Sequence, residues 1–591
     1  MTRFTRRDVL RHGATSAVIF GSVAAGIGFM PFARPSRAQS PGRFPHGVAS
    51  GDPVSDGVVL WTRVAAEVGD AESVPLIVQV SADPAFNSVL LEDSVFAFAQ
   101  DDFTARVCVG GLAPDAWYFY RFLTPAGDAS RTGRTRTAPA PGSISPLRLV
   151  LASCQNYEQG WFGAWARLIA DDDAAGVEGI ADAVLHVGDF IYETTPDLPE
   201  GVVPVRRIPP FPDGRDLADG RRVAQTLDDY RHLYRTCLTD PALQEARARW
   251  PFICTWDDHE FSNDSWQSYE TFNSAGLPAM TRKVAANKAW TEFIPARLDA
   301  PAHDFTDIAV ADTDGGEPDD GFLIQNPDNV AALDSLTIYR SLAWGDTAEI
   351  FVTDTRSYRS PAPMDSAMEA ALGAPAPPLT IVRALDFGRT ANGGTPPQTF
   401  EGKDGSRVAN PRATMPPGTV LGPRQKAWFK DRLANSTARW KLWGNSIPAM
   451  PIRLDLSSIP FQGLPDVALG IDAWNGYPGE LRELMSYVRD EGITGLVSCA
   501  GDYHMSGAAV LVDDPDADNP KGAAIEFAAC GIASLTMFSG AERITSDPGD
   551  PFRPLVADRP DEGAPQEVFN LTLLAGVRAA LAYSYTGFDT L

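Results

Sequence analysis

Thiolate, carboxylate, phenolate and imidazole donors gather in four short segments of this chain. They are Ser153-Cys154-Gln155-Asn156, Gly188-Asp189-Phe190-Ile191-Tyr192, Trp256-Asp257-Asp258-His259-Glu260 and Gly501-Asp502-Tyr503-His504. Each follows an apolar run of strand composition. That places it at the rim of an α/β sheet, where strands end and ligands collect. The chain has seven histidines, and only His259 and His504 occupy such a position beside carboxylates. A two-metal site of four or five imidazoles is therefore hard to assemble, and oxygen donors dominate: Asp189, Tyr192, Asp258, Asn445 and Asp502. Hard oxygen ligands select Ca²⁺, Mg²⁺ or Mn²⁺, whereas Cys154 with Tyr192 and His504 suits a redox-capable ion such as iron. The pattern predicts a mixed-metal centre of the kind that turns water against a phosphate ester.

The elements that must position these groups fall into two textures. From Phe44 to about 141 the chain is dense in short alternating segments, such as Val58-Val-Leu-Trp61, Pro75-Leu-Ile-Val78 and Thr104-Ala-Arg-Val107, divided by turn residues. The run Trp117-Tyr118-Phe119-Tyr120 adds a corner aromatic, so residues 41–141 are expected to form a small all-β sandwich of immunoglobulin or fibronectin type. The Pro/Gly stretch 137–143 reads as a linker. Beyond Pro146, strand-like runs before Cys154, Asp189, Asp257, Asp354, Asn445 and Asp502 alternate with helical intervals. Near-continuously apolar strands imply sheets buried on both faces. The catalytic unit is expected over 146–545, with a tail or lid at 546–591 that includes a helix-like segment from Leu571. The stretches 194–224, 299–330 and 360–420 read as surface loops or lids.

The N-terminus carries Arg6-Arg7, a weakly apolar stretch from Gly13 to about Phe32, and Ser36-Arg37-Ala38 at a plausible cleavage point. Residues 1–38 therefore read as a twin-arginine export signal, removed after handing a folded protein to the twin-arginine machinery. No other run approaches the roughly 20 apolar residues of a membrane span. The expectation is a periplasmic or secreted protein without a permanent membrane anchor. Its formal net charge is -26, and the first 38 residues hold six Arg against one Asp, so the remainder is more acidic still. Such a surface repels nucleic acid and anionic membranes as stable partners. It repels phosphate esters as well, so the site must supply its own positive charge. Six cysteines in an oxidising destination would usually suggest disulfides. Their spacing is long and irregular, and Cys254 and Cys499 lie in apolar runs, so at most one or two bridges are expected.

Taken together, these segments make the resemblance specific. Gly188-Asp189-x-x-Tyr192 is similar to the block of purple acid phosphatases and wider metallophosphoesterases. Trp256-Asp257-Asp258-His259-Glu260 with Asn263-Asp264, and Gly501-Asp502-Tyr503-His504, resemble the variants of PhoD-type alkaline phosphatases. Asp240-Pro241, Asp354-Thr355-Arg356-Ser357-Tyr358-Arg359, Gly422-Pro423-Arg424, Asp472-Ala473-Trp474 and Gly47-Val-Ala-Ser-Gly51-Asp52-Pro53 agree in order. The likeness runs from about residue 44 to about residue 510. It implies an α/β metallophosphoesterase core, a mixed β-sandwich flanked by helices, preceded by the small all-β sandwich.

The same resemblance implies a cleaver of phosphate monoesters and diesters that uses ferric iron with calcium, manganese or zinc being alternatives. Cys154, Asp189, Tyr192 and His504 would hold the iron. Asp189 would bridge to calcium, completed by Asp258, Asn445 and Asp502. Whether Asp257 or Asp258 ligates stays open, with Asp258 preferred because it precedes His259. Asp189 and His259 carry the catalytic roles, His259 stabilising the phosphoryl group or protonating the departing alkoxide. Arg356 is a candidate phosphate clamp. Arg359, His186, Trp474 and Tyr477 read as structural. The substrate is a small-molecule or lipid phosphate ester. The runner-up function is a phospholipase D or general phosphodiesterase, and the third an exported binding protein without catalysis.

Overall fold

The computed structural model describes residues 42–537 except 68–71, 177–178, 199–201, 273–275, 299–304, 374–375 and 455–465. It also describes the short strand Ala17–Phe20 and positions 539, 543 and 546. Most of the export segment and the tail beyond 546, with its helix-like run from Leu571, lie outside the described residues.

Besides Ala17–Phe20, seven described strands precede the linker: β1 (Val48–Val54), β2 (Gly57–Arg63), β3 (Ser73–Ser81), β4 (Val89–Phe98), β5 (Thr104–Gly110), β6 (Trp117–Leu123) and β7 (Gly133–Arg136). Strands β4-β3-β6-β7 form one antiparallel sheet, and β5-β2-β1 form part of another. Alternate side chains of both, among them Leu60, Leu76, Val78, Val107, Tyr118 and Tyr120, share one apolar cluster. Alternation of this kind is the signature of sheets with one face on a core. The corner aromatic Tyr118 donates its hydroxyl to the Ala113 carbonyl at 3.1 Å and accepts Ala113 N–H at 2.9 Å.

After the linker come β8 (Leu149–Ala152), β9 (Ala183–Val187) and β10 (Pro251–Thr255), paired in parallel. A second sheet has the order β11-β12-β13-β14-β16-β15. Its strands are β11 (Arg340–Trp344), β12 (Ala348–Val352), β13 (Trp440–Gly444), β14 (Leu496–Ala500), β15 (Gly507–Val512) and β16 (Gly522–Ala528). Strands β12, β13, β14 and β16 run parallel, and antiparallel β11 and β15 close the edges. Leu185, Val187 and Ile253 of the first sheet meet Leu342, Ile350, Val352 and Cys499 of the second. The outer face of the first sheet is covered through Trp165, Tyr230, Tyr234, Leu243 and Trp290, on helices Gly163–Ala175, Leu227–Cys237, Pro241–Arg249 and Met280–Phe293. Phe429, Leu433, Leu484 and Val488 of helices Gly422–Asn435 and Pro478–Asp490 cover the second. The central strands are thus covered on both faces, which is why β9, β10 and β12 are buried at every residue, whereas Ile525 and Phe527 of β16 remain exposed.

The N-terminal unit is more closely fused than its linker suggests. Strand β1 pairs in parallel with β10 (Ser50 opposite Pro251, Gly51 opposite Phe252), so its sheet continues the core sheet. The register between β1 and β2 slips at Gly51–Val54, and there Asp52 turns inward, fully buried. It accepts Arg340 Nε at 2.7 Å, Arg340 Nη2 at 2.8 Å and Arg297 N–H at 2.6 Å. Arg340 opens β11, so one carboxylate ties the N-terminal unit to the second sheet. The strand Ala17–Phe20 lines up parallel to β5 at the far edge.

Two of the stretches expected to be loops hold regular structure. Residues 194–224 contain a small sheet of Thr194–Thr195, Arg215–Asp216 and Arg222–Val223. Residues 360–420 fold helices Ser366–Leu372 and Leu379–Asp386 and a hairpin over their own apolar cluster of Met364, Met368, Leu372, Leu379, Val382, Leu385 and Phe400. Dense Pro and Gly hid the three-residue spacing of Leu379, Val382 and Leu385, which is a helix face. In 299–330, residues 305–307 form a single turn, and a helix begins at Pro327. Among the described residues no disulfide forms, and Cys108, Cys237, Cys254 and Cys499 are buried thiols. No described helix is long and apolar enough to cross a membrane.

Replacing Asp52 with Ala leaves the Arg340 guanidinium buried without its partner. That should destabilise the protein by about 3–5 kcal/mol. Urea denaturation should show an earlier midpoint, and limited proteolysis should release the N-terminal unit first.

Candidate metal centre

The parallel strands of both sheets finish at one edge, and the functional groups follow them at a fixed interval. Cys154, Asp189 and Asp257 stand two residues beyond β8, β9 and β10, while Asp354 and Asp502 stand two residues beyond β12 and β14. Asn445 directly follows β13. The two rims are stitched together: Thr255 Oγ1 donates to the Thr353 carbonyl at 2.7 Å, and Trp256 Nε1 donates to Asp354 Oδ1 at 2.9 Å. Two glycines permit this approach. A Cβ on Gly188, whose φ is +110°, would lie 2.5 Å from Asp257 Cβ, and one on Gly501 would lie 2.5 Å from Ser153 Cβ.

The turns that aim the donors are strained. Cys154 (φ 54°), Asp189 (φ 56°), Asp502 (φ 65°) and His504 (φ 51°) are all left-handed. Each such residue costs about 1–3 kcal/mol and persists only where surrounding contacts enforce it. Here Cys154 N–H donates to Gly188 O, and Gln155 N–H to Asp189 O. Ala533 N–H and Ser534 Oγ donate to the Cys154 carbonyl.

Three groups of donors result. In the first, one ligand atom each of Cys154, Asp189 and His504 lie within 4.8 Å of one another. Tyr192 joins them, its hydroxyl 3.2 Å from Asp189 Oδ2, 3.3 Å from His504 Nε2 and 3.2 Å from Ser534 Oγ. His504 Nδ1 lies 2.8 Å from the Leu535 carbonyl. A carbonyl only accepts, so Nδ1 carries the proton and Nε2 offers its lone pair inward. Burial lowers His504 to about 4, which keeps the ring neutral. The second group joins Asp189, Asp258 and His259, and the third Asp258, Asp264 and Asp472, under the same distance limit.

Asp257 and Asp258 part company here. Asp257 Oδ1 accepts Arg356 Nε at 2.7 Å and Ser446 Oγ at 2.9 Å. Asp258 turns to Asp189 instead, its oxygens accepting His259 N–H at 2.9 Å and Asp264 N–H at 2.7 Å. No helix starts at His259. Asp502 is half-buried beside both: burial, then the charges of Asp257 and Asp258, push its carboxyl well above the usual range. Asn445 is fully buried; its carbonyl oxygen accepts Trp474 Nε1 at 3.1 Å, which fixes the amide and leaves one lone pair. Trp474 thus has the structural role expected of it.

Arg356 is not placed as a phosphate clamp. It is shut away from solvent at 1 % exposure, and two of its nitrogens are taken, Nε by Asp257 and Nη1 by Asp472 at 2.6 Å. Nη2 stands 3.8 Å from Asp258. With Arg359, which donates to the Asp472 carbonyl at 2.5 Å and to Tyr477 Oη at 2.9 Å, it balances the acids from beneath.

Four acids escaped the motif reading as site residues, although all lie in or beside quoted segments. Asp264 follows Asn263, Asp472 opens Asp472-Ala473-Trp474, Glu260 closes its motif and Glu193 follows Tyr192. Glu260 accepts three backbone N–H groups, from Asp189 at 3.1 Å, Phe190 at 2.7 Å and Asp257 at 2.9 Å, and so ties two motifs together. Alternating acidic and apolar letters gave no hint that these carboxylates converge.

The electrostatics call for cations. Burial holds Asp189 well above the usual carboxylate range against the pull of His259, with Asp258 and Asp257 adding to the rise. Desolvation by the surrounding protein atoms, then Asp472 and Asp258, raises Asp264 to about 7, although its side chain reaches solvent at the cleft mouth. Burial followed by Asp189 raises both Cys154 and Tyr192. Asp189 Oδ1 and Asp257 Oδ2 are buried without a hydrogen-bond partner. Orphaned lone pairs in a dry acidic pocket are what a metal ion satisfies, so the donor set fits a metal centre.

Residues 149–561 match the family model of the PhoD-like phosphatase, and residues 31–139 match that of the PhoD-like phosphatase N-terminal domain. Alkaline phosphatase D of Bacillus subtilis (strain 168) is 27% identical over 547 residues, covering 90% of this chain and 76% of that protein. A solved structure described as the structure of PhoD superposes with a TM-score of 0.61 at 26% identity, covering 83% of this chain and 78% of its own. Fold and site thus define a phosphoric ester hydrolase. The chain belongs to the PhoD-like phosphatase family.

Arg356→Ala separates an anchor from a substrate clamp. It strands Asp257 without its cation, leaves Asp472 to Arg359 alone, and should lower stability by about 3–5 kcal/mol. Thermal denaturation and elemental analysis should show a lower Tm and weaker metal retention. A raised KM with unchanged Tm would mark a clamp instead.

Proposed function

We propose that this chain is an exported alkaline phosphatase that hydrolyses phosphate monoesters, and diesters as well, and releases inorganic phosphate. The observation that carries the reading is the convergence of Cys154, Asp189 and His504 donors within 4.8 Å, with the Tyr192 hydroxyl beside them. Thiolate, phenolate and imidazole together are a ligand set for a ferric ion. Asp189 belongs to two donor groups and is the natural bridge to a calcium site completed by Asp258, Asn445 and Asp502. Asp264 and Asp472 extend the oxygen donors around Asp258. When bound, the cations neutralise phosphoryl oxygens and lower the pKa of water, the chemistry a phosphate ester requires.

The chain's own groups do the rest. His259 faces the same cleft as Asp189 and Asp258. Burial opposes its charge, but Asp258, Glu193 and Asp189 outweigh it and hold the imidazole well above its ordinary range. An imidazole placed in the cleft beside these acids is a proton donor for the departing alkoxide. Arg356 and Arg359 stay beneath the acids and leave the open side to substrate.

The domain plan follows the same reading: a twin-arginine signal at 1–38, a fibronectin-like module at 41–141, the catalytic unit at 146–545 and a tail or lid at 546–591. Export by the twin-arginine machinery would deliver the protein folded to the periplasm or beyond. One observation favours a diesterase of phospholipase D type: Trp161, Val202, Val203 and Val205 are exposed on segments flanking the Cys154 loop, joined where Val205 N–H meets the Glu158 carbonyl at 2.8 Å. Release of choline or phosphatidate from phosphatidylcholine, at rates above phosphate release from a monoester, would favour that specificity.

Elemental analysis and the visible spectrum of the native protein test the centre. A coloured protein containing iron and calcium is expected, and a colourless zinc protein would overturn the assignment. Asp189→Ala should lose both metal and activity. His259→Ala should keep its metal while turnover falls by about 10²–10⁴-fold.

A further inference from the structure

The orientation of His259 is set from behind. Its Nδ1 lies 2.7 Å from Glu193 Oε2. A carboxylate there accepts N–H, so a proton sits on Nδ1 and Nε2 is left for the cleft. Among the described residues, Nε2 has no hydrogen-bond partner. Glu193 is itself held fast. It is fully buried, its second oxygen accepts Asn263 N–H at 2.8 Å, and its backbone carbonyl accepts Ala224 N–H at 2.9 Å. The imidazole also stacks on Tyr192, ring centroids 4.1 Å apart at 34°, which limits its tilt.

We propose that Glu193 is a positioning residue, which keeps the Nδ1 proton of His259 in place and aims Nε2–H at the leaving-group oxygen of the bound phosphate ester. The inference rests on the reading of His259 as the proton donor. As the bond from phosphorus to the leaving oxygen breaks, its electron pair stays on that oxygen, and the proton from Nε2 completes the alcohol. The hydroxide that adds to phosphorus comes from water, and the proton given up by that water restores Nε2. Glu193 retains its hydrogen bond throughout and exchanges nothing.

The leaving group reveals such a role. A nitrophenolate departs without a proton, whereas an alkoxide needs one. Loss of aim at Nε2 therefore harms alkyl esters far more than aryl esters, and a general loss of structure harms both equally. Asp189, Tyr192, Asp197, Asp258, Asp264 and His504 also face His259, but among the described residues its Nδ1 bonds to Glu193.

The test uses the full chain with its metals and compares wild type, Glu193→Ala, Glu193→Gln, His259→Ala and the Glu193→Ala/His259→Ala double variant. Substrates are p-nitrophenyl phosphate and glycerol 2-phosphate. Glu193→Ala should lower kcat on the alkyl ester at least about ten-fold more than on the aryl ester. KM should stay within about two-fold, and metal content should match wild type. Adding Glu193→Ala to His259→Ala should cause no further loss, because the first acts only through the second. Glu193→Gln keeps one acceptor but sets an amide N–H against Asn263 N–H, so it should show the same split in smaller measure. It also serves if the Ala variant does not fold. Equal losses on both esters, additive losses in the double variant, or loss of metal in step with activity would each overturn the proposal. Full activity of His259→Ala on both esters would instead remove the reading of His259 on which it rests.

Discussion

Repulsion among buried carboxylates is the constraint on which this structure turns. Asp189, Asp257, Asp258 and Glu260 are buried in one strand-end pocket, with half-buried Asp472 and exposed Asp264 at its mouth. Two like charges about 5 Å apart repel by about 3 kcal/mol at an effective dielectric near 20. A few such pairs would consume the whole stability of an ordinary domain, about 5–15 kcal/mol. Desolvation first, and the neighbouring acids after it, raise Asp264 and Glu260 to about 7, and their protonation relieves part of this repulsion. Arg356 relieves more from beneath, holding Asp257 and Asp472 together. What remains faces the cleft, where cations complete the balance and an anionic ester can then be bound by a protein of net charge -26.

A fold that tolerates such a pocket must hold it rigidly. The two sheets end on one rim, and Cys154, Asp189, Tyr192, Asp258, Asn445, Asp502 and His504 all follow closely on a strand end, too near the sheet to wander. Left-handed turns at Cys154, Asp189, Asp502 and His504 fix their direction, and the strain is absorbed by backbone bonds between neighbouring motifs. Glu260 illustrates the economy of this arrangement. A carboxylate that accepts three amide N–H groups needs no cation of its own, and in accepting them it locks the Asp189 and Asp257 turns to each other. The buried Asp52–Arg340 pair performs the same service at a distance, joining the N-terminal strands to the second sheet.

The strands and the site were legible to different depths. Apolar runs such as Ala183-Val-Leu-His-Val187 marked the core strands because both faces are buried, and the Gly-Asp motifs marked where they end. Composition misled at 360–420, where the Leu379, Val382 and Leu385 face is short and flanked by prolines. It also hid the fusion of β1 to β10, because parallel pairing across two units leaves no local pattern. Cys154, Asp189, Tyr192 and His504 could be singled out through the motifs that hold them and the family resemblance those motifs carry. Arg356 was misjudged because a guanidinium beside an acidic motif looks the same in sequence whether it points to solvent or to Asp257. Glu193 and Asp472 were passed over for a similar reason: their role depends on which distant atom they meet, His259 Nδ1 and Arg356 Nη1.

The six residues 188–193 show why the parts of this centre cannot be altered one at a time. Gly188 lets the turn pass Asp257, Asp189 serves two donor groups, Tyr192 closes the first group and packs on His259, and Glu193 supports that same ring. A shift that improved the fit of one ion would move the bridge to the other and tilt the imidazole with it. Separate loops would allow each function to drift independently. On the proposed assignment, a single turn, pinned by Glu260 to the neighbouring strand end, would make ion spacing and proton delivery one geometric quantity.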